Sequence, residues 1–296
     1  LQYGVLLSIK WGNIPQYLER YTWRMPFNSY TPEEIFKMFM TPGRPAPRAR
    51  REQELADQGT PLTLQVWNHT IRGHQWLPPA ELITPIEKTG TAKKVLVQHG
   101  WGSRSTAMWA IINARLNTGF EVIGFDAIGN GDSDGEESTM LHFAETVSEI
   151  GANHGPFHAV IGHSIGATCL PLALTKNLQA ERVVLISPRD QLTDFLTRFL
   201  EVLNADPDMF GPVSKLWNSK IGWERVMQAR PSELARNFLQ PCLIIHDKDD
   251  EDVSFHDSEI IYQAWNNAQL HLTEGLGHAR IVRSKEVASL IAEFLS

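Results

Sequence analysis

Cysteine is scarce in this chain. Cys169 and Cys242 are the only two among 296 residues, and neither belongs to a CxxC pair or a cluster with metal-ligand spacing. That excludes a disulfide framework and a cysteine zinc site. It predicts two free thiols, buried in the apolar runs that hold them, and a reducing compartment. Long apolar stretches are also missing. No run reaches the roughly 18 residues that would mark a membrane-spanning helix, so no integral membrane segment is expected. The first eleven residues lack the basic leader and cleavage pattern of a signal peptide. The expectation is a cytoplasmic protein, with an export signal upstream of residue 1 left open. Positive charge is in deficit, 27 Lys and Arg against 34 Asp and Glu, for a net charge of −7. This gives no electrostatic case for nucleic acid or an anionic membrane as partner. The one basic run, Arg44 to Arg51, is broken by Pro45 and Pro47 and reads as a solvated linker. The chain has no internal repeat, no low-complexity tract and no G-x-x-x-x-G-K-[ST] phosphate loop. No metal is expected.

What is present is 42% hydrophobic residues, enough for one large core. Residues 1–60 form an N-terminal extension, helical or irregular. Within it Thr31 is placed to cap a short helix with Pro32 at its first position, Glu33 and Glu34 in its first turn, and Ile35, Phe36 and Phe39 on one face. Residues 62–88 show strand-like pieces, such as Leu62 to Trp67, broken by Pro78, Pro79 and Pro85. From Lys93 onward short apolar runs alternate with helix-length amphipathic segments: Val95–Val97, Val122–Phe125, Ala159–Ile161, Val183–Ile186, Leu243–Ile245 and Leu270–Leu272. Continuous β-branched runs between helices indicate strands buried on both faces, hence a mostly parallel sheet with helices on both sides. The fold class is α/β. The expected organisation is a first core part over 61–187, a helical lid insertion over 188–240 and a second core part over 241–296. The insertion is placed over the carboxyl ends of the strands, where open α/β sheets bind ligands.

Four segments carry chemistry. Gly162-His163-Ser164-Ile165-Gly166 matches G-x-S-x-G after a strand and before a helix, the context that motif requires. A serine hydroxyl needs a base. Of eleven histidines, His278 in the Gly-rich segment Glu274–Arg280 follows the last strand and is the candidate. The base needs an acid to fix its tautomer. The run His246–Val253 offers four aspartates. Asp250 starts a D-x-x-V turn and is chosen, with Asp249 and Asp252 as alternatives. A calcium loop is disfavoured because the EF-hand glycine and terminal glutamate are missing. His99-Gly100-Trp101-Gly102-Ser103 follows a strand and supplies the backbone N–H of Trp101 as an oxyanion donor beside that of Ile165. The run Asp126–Ser133 reads as architectural, shaping the floor of the site.

In this order and spacing, HGWGS, D-x-x-G-x-G-x-S, GHSIG, HDKDDEDV and GLGHARIV resemble the α/β-hydrolase superfamily over residues 93–296. The resemblance implies a parallel-sheet core, a lid inserted after the sixth strand and no cofactor. It assigns nucleophile to Ser164, acid to Asp250, base to His278 and oxyanion donors to Trp101 and Ile165. Asp247 departs from the pattern, since many relatives have Gly there. Serine at the elbow argues against the carboxylate nucleophile of haloalkane dehalogenases and epoxide hydrolases. Ester, thioester and amide cleavage remain, and the expectation is a carboxylic ester with a small to medium hydrophobic acyl group. The substrate pocket is expected at Trp101, His163, Phe195, Phe199, Trp217 and Trp223. An aminopeptidase or amidase would need an amine anchor, for which Glu201, Asp206 and Asp208 are candidates. A non-catalytic binding relative is the remaining alternative. Residues 1–60 are left with three readings: covering the sheet edge, covering the lid, or forming a homodimer.

Overall fold

The computed structural model describes residues 30–82, 93–222, 226 and 229–296. The apolar runs become strands β1 (Thr60–Val66), β2 (His69–Trp76), β3 (Lys94–Gln98), β4 (Glu121–Phe125), β5 (Phe157–His163), β6 (Ala180–Ile186), β7 (Cys242–Asp247) and β8 (Ala268–Thr273). They form one sheet in the order β1-β2-β4-β3-β5-β6-β7-β8. β3 to β8 run parallel. β1 and β2 make an antiparallel hairpin whose last pair is Val66 with His69, and β2 joins β4 antiparallel. Every residue of β5 and of β7 is buried, as expected where helices cover both faces of a sheet.

The helices among the described residues are α1 (Pro32–Met40), α2 (Arg50–Gln58), α3 (Trp109–Leu116), α4 (Met140–His154), α5 (Ile165–Leu174), α6 (Leu192–Val202), α7 (Phe210–Ile221), α8 (Pro231–Ala235), α9 (Phe255–Ala264), α10 (Gly277–Arg280) and α11 (Lys285–Leu295). Side chains alternate across the pleat and so feed two cores. Leu96, Ile123, Val160, Val183 and Ile244 pack with Phe143 and Val147 of α4, Leu170 of α5 and Ile261 of α9. Val95, Val97, Ile161, Val184 and Ile245 pack with Ile111 and Ile112 of α3 and with Val287 and Ile291 of α11. A third cluster lies apart from the sheet and joins α1 to α6 and α7.

Local signals explain α1. Thr31 Oγ1 accepts from the Glu34 N–H at 3.2 Å, and the Glu34 carboxylate accepts from the Thr31 N–H at 2.8 Å. This reciprocal pair satisfies two donors that a helix start leaves free. Its apolar face buries Ile35, Phe36, Met38, Phe39 and Met40.

The basic run is corrected by the structure. It ends in a helix, since Arg50 opens α2 and pairs with Glu54 at 2.7 Å. Arg48 bonds Asp132, and the Arg51 guanidinium lies 4.6 Å from the centre of the Trp109 ring. The sequence Arg50–Gln58 carries no apolar stripe, and Leu55 is its one buried hydrophobe. Hydrophobic periodicity therefore gave no helical signal there. Cys169 and Cys242 are free and buried, as expected.

Candidate active site

β5 ends at His163, and α5 begins at Ile165, leaving Ser164 alone on the turn. Its backbone adopts φ 55°, ψ −126°, a region that non-glycine residues enter at a cost of order 1–3 kcal/mol. The flanking glycines make the turn sterically feasible. A Cβ on Gly162 would lie 2.5 Å from the Gly166 carbonyl oxygen, and one on Gly166 would lie 2.2 Å from the His99 carbonyl oxygen. The turn is held open by the Ser164 N–H bond to the Ile186 carbonyl on β6, at 2.8 Å.

Three distant segments meet at this turn. His278, on α10, has Nε2 3.0 Å from Ser164 Oγ and Nδ1 2.7 Å from Asp250 Oδ2. A carboxylate can only accept, so Nδ1 carries the proton and Nε2 of the neutral ring is left to accept from the hydroxyl. Asp250 sits on the turn after β7 with a fully buried side chain. Its Oδ1 accepts from the N–H groups of Asp252 and Val253, each at 2.9 Å. Burial pushes this carboxyl up, but hydrogen bonds from His246 and His278 outweigh it and hold the group well below the usual carboxylate range.

His246 was not singled out in the sequence. It is fully buried. Its Nε2–H faces the Val253 carbonyl at 3.0 Å and Asp250 Oδ2 at 3.3 Å, and its Nδ1 accepts from the Ser258 hydroxyl at 2.7 Å. Asp247 is the second addition. This residue, noted only as a departure from glycine, is fully buried and accepts four hydrogen bonds. They come from the N–H groups of Asp249 (3.1 Å), Leu276 (3.0 Å) and Gly277 (2.9 Å) and from the Thr273 hydroxyl (2.7 Å). One carboxylate thus ties the turn that carries Asp250 to the residues just before His278. Burial raises this carboxyl, and the donors from Gly277, Thr273, Leu276 and Asp249 bring it below its ordinary value.

His163, expected in the substrate pocket, lines the cavity but is also tied to His278. Its Nε2–H donates to the His278 carbonyl at 3.0 Å, with ring centres 4.9 Å apart. Burial, reinforced by the neighbouring His278, pushes it down to about 3, so the ring is neutral.

The loop after β3 also reaches Ser164. A Cβ on Gly100 would come within 3.1 Å of Ser164 Cβ and His163 Nδ1, which shows how closely this loop approaches the elbow. The Gly102 N–H donates to Asn130 Oδ1 at 2.9 Å, and Asn130 Nδ2 donates to the Ile128 carbonyl and to Ser138 Oγ. The Gly-rich run Asp126–Ser133 therefore braces the loop that carries Trp101. Ile165 is the first residue of α5, where backbone N–H groups have no partner within the helix.

Ser164 opens into a cavity of about 310 Å³ lined mainly by Trp101, Met140, Phe195, Phe199, Trp217 and Phe39, with Arg189 and Arg283 among its polar residues. Trp101, Phe195, Phe199 and Trp217 were expected here. Trp223 lies outside the described residues. Phe39 and Arg189 were not anticipated. The Arg189 guanidinium donates to the Asp252 carbonyl at 2.5 Å and lies 5.5 Å from the Phe195 ring centre. Burial lowers its pKa, partly opposed by Asp257 and other nearby acids. The amine anchors considered from sequence are engaged elsewhere: Glu201 pairs with Arg198 at 3.1 Å, and Asp206 accepts from the Asp208 N–H at 3.0 Å. Neither they nor Asp208 line the cavity. Among the described residues, Asp250, Asp252 and His278 could offer a cation ligands within 4.8 Å of one another, but two of the three already spend their lone pairs in the hydrogen-bonded chain.

Residues 95–290 match the model of the alpha/beta hydrolase family. The chain belongs to this family, and membership supports hydrolase activity. No curated protein matches it by sequence. Among solved structures it is similar to the esterase Pf2001 of Pyrococcus furiosus, with a TM-score of 0.61 and 19% identity, covering 86% of this chain and 95% of that one. Est1E of Butyrivibrio proteoclasticus, solved with bound ferulic acid, gives 0.58 and 18%, covering 79% and 96%. The mouse alpha/beta hydrolase domain-containing protein 10 gives 0.58 and 15%, again covering 79% and 96%. At these identities the likeness is one of fold. Among the described residues no helix is long and apolar enough to cross a membrane.

Proposed function

We propose that this protein is a serine hydrolase that cleaves carboxylic esters of small to medium hydrophobic acyl groups through an acyl-enzyme. The observation that carries the reading is the unbroken chain Ser164 Oγ, His278, Asp250, at 3.0 and 2.7 Å, opening into an apolar cavity. In this scheme Ser164 Oγ attacks the ester carbonyl while His278 Nε2 takes its proton. Buried anionic Asp250 stabilises the resulting imidazolium. The carbonyl oxygen becomes an oxyanion that accepts from the N–H groups of Trp101 and Ile165, aided by the positive end of α5. His278 then returns the proton to the departing alcohol, and a water molecule repeats the sequence to release the acid.

The test is turnover of a short p-nitrophenyl ester. Ser164→Ala is expected to lose roughly 10³-fold or more in kcat. Equal rates in the two proteins would end the assignment. Glu201, Asp206 and Asp208 do not line the cavity but Asp252 does, so aminoacyl amides are assayed side by side with the esters, and faster ester turnover supports the reading.

A further inference from the structure

α1 precedes the segment that matches the family, residues 95–290, yet it supplies a wall of the cavity that holds Ser164. Phe39 is buried and lines that cavity. Its ring meets Phe195 at 4.8 Å, Phe199 at 5.0 Å and Trp217 at 4.3 Å between centres, and all three also line the cavity. The series begins beside the nucleophile, where Trp101 meets Phe195 at 6.5 Å. An acyl chain carried on Ser164 Oγ would pass Trp101 and Phe195 and then meet Phe39. We propose that Phe39 is the end wall of the acyl pocket and sets the longest acyl chain that is accepted, so that the segment before the hydrolase core takes part in substrate selection. The inference rests on the ester-hydrolase reading.

The wall is well supported. The Phe36 ring meets Trp217 edge-on at 6.2 Å, and the Lys220 ammonium lies 5.2 Å from the Phe36 ring centre. At the other end of α1 the Met40 carbonyl accepts from the Ser138 N–H at 2.8 Å. Ser138 itself lines the cavity and bonds Asn130. α1 is thus held by aromatic packing on one side and by the loop that braces Trp101 on the other. The substrate class is an acyl ester whose chain length is capped where it meets this aromatic layer. Each buried methylene adds about 0.8 kcal/mol, or about fourfold in affinity, until the chain reaches the wall. Beyond that point a tightly packed aromatic layer resists expansion.

The experiment is a series of p-nitrophenyl esters from acetate to dodecanoate, reading the chain length at which kcat/KM stops rising. Phe39→Ala is expected to move that break to longer chains. Two further methylenes would raise the long-to-short kcat/KM ratio about sixteenfold. Phe39→Leu, which keeps the layer apolar, moves the break the same way by less, and Phe39→Trp moves it to shorter chains. Met38→Ala is the control, because Met38 is buried in the same aromatic layer but does not line the cavity; its break stays at the wild-type length. An unmoved break in all Phe39 variants, or a Met38→Ala shift as large as that of Phe39→Ala, would overturn the proposal. The same series is read as equilibrium binding by calorimetry in a Ser164→Ala background. Binding whose chain-length break follows residue 39, in a protein whose wild type turns over no ester, would uphold the wall and overturn the ester-hydrolase reading instead.

Discussion

Asp250 collects four donors: His278 Nδ1–H, the shared Nε2–H of His246, and the N–H groups of Asp252 and Val253. Each favours the ionised carboxyl, the form that can stabilise a histidinium in the proposed reaction. Only the first of these donors was readable from sequence, because His278, the D-x-x-V turn and the serine elbow belong to separately recognisable motifs. His246 carried no such signal; a histidine inside an apolar strand reads the same whether or not it reaches an acid. Asn130 was hidden in the same way. It sits in a Gly-rich run whose turns were legible, but its bond to Gly102 crosses between two loops. We expect Asn130→Ala to release that loop and misplace the Trp101 N–H, the proposed oxyanion donor, lowering kcat about tenfold with little change in KM, since such a donor acts mainly in the transition state. Single-turnover kinetics would check this, and a change confined to KM would contradict it.

Among the elements, α1 and α6 announced themselves. α1 has a capping residue, Pro at its first position and a clear apolar face, and α6 repeats Phe195, Leu196 and Phe199 at helical spacing. α2 and β2 did not. α2 is almost wholly polar. β2 reads His-Thr-Ile-Arg-Gly-His-Gln-Trp, with too few apolar positions for a strand to stand out, and it is specified by pairing with β1 and β4. The α1 cap has a measurable consequence. Thr31→Ala removes the acceptor for the Glu34 N–H and half of the capping box, which is expected to cost about 1 kcal/mol, seen as a lower urea midpoint at unchanged slope. Because α1 is proposed to wall the pocket, the same change is expected to weaken discrimination between acyl chain lengths. Stability equal to wild type would show that the cap contributes nothing.

For the whole molecule, the sheet brings the turns after β5, β7 and β8 together, and Asp247 ties the last two to each other. Its carboxyl lies below its ordinary value in the folded protein. A carboxyl depressed on folding adds stability that is complete above the unfolded value of about 3.9 and is lost as pH falls through the folded value. Asp247→Asn retains one acceptor oxygen and turns an amide toward the N–H groups that the other oxygen served. It is expected to cost about 2 kcal/mol at neutral pH, with the gap to wild type narrowing below about pH 4. Urea unfolding across pH would record it, and a gap that stays constant into acid would refute the linkage. Local chemistry settled much in advance. Buried β-branched runs required a two-sided parallel sheet, and the glycines around Ser164 required a tight elbow, since both follow from sterics within a few residues. Which residues surround that elbow was decided by tertiary structure alone. Phe39, Arg189, Asn130 and His246 act through contacts between segments far apart in the chain, and no local pattern encodes where a helix or loop will be carried when the strands align.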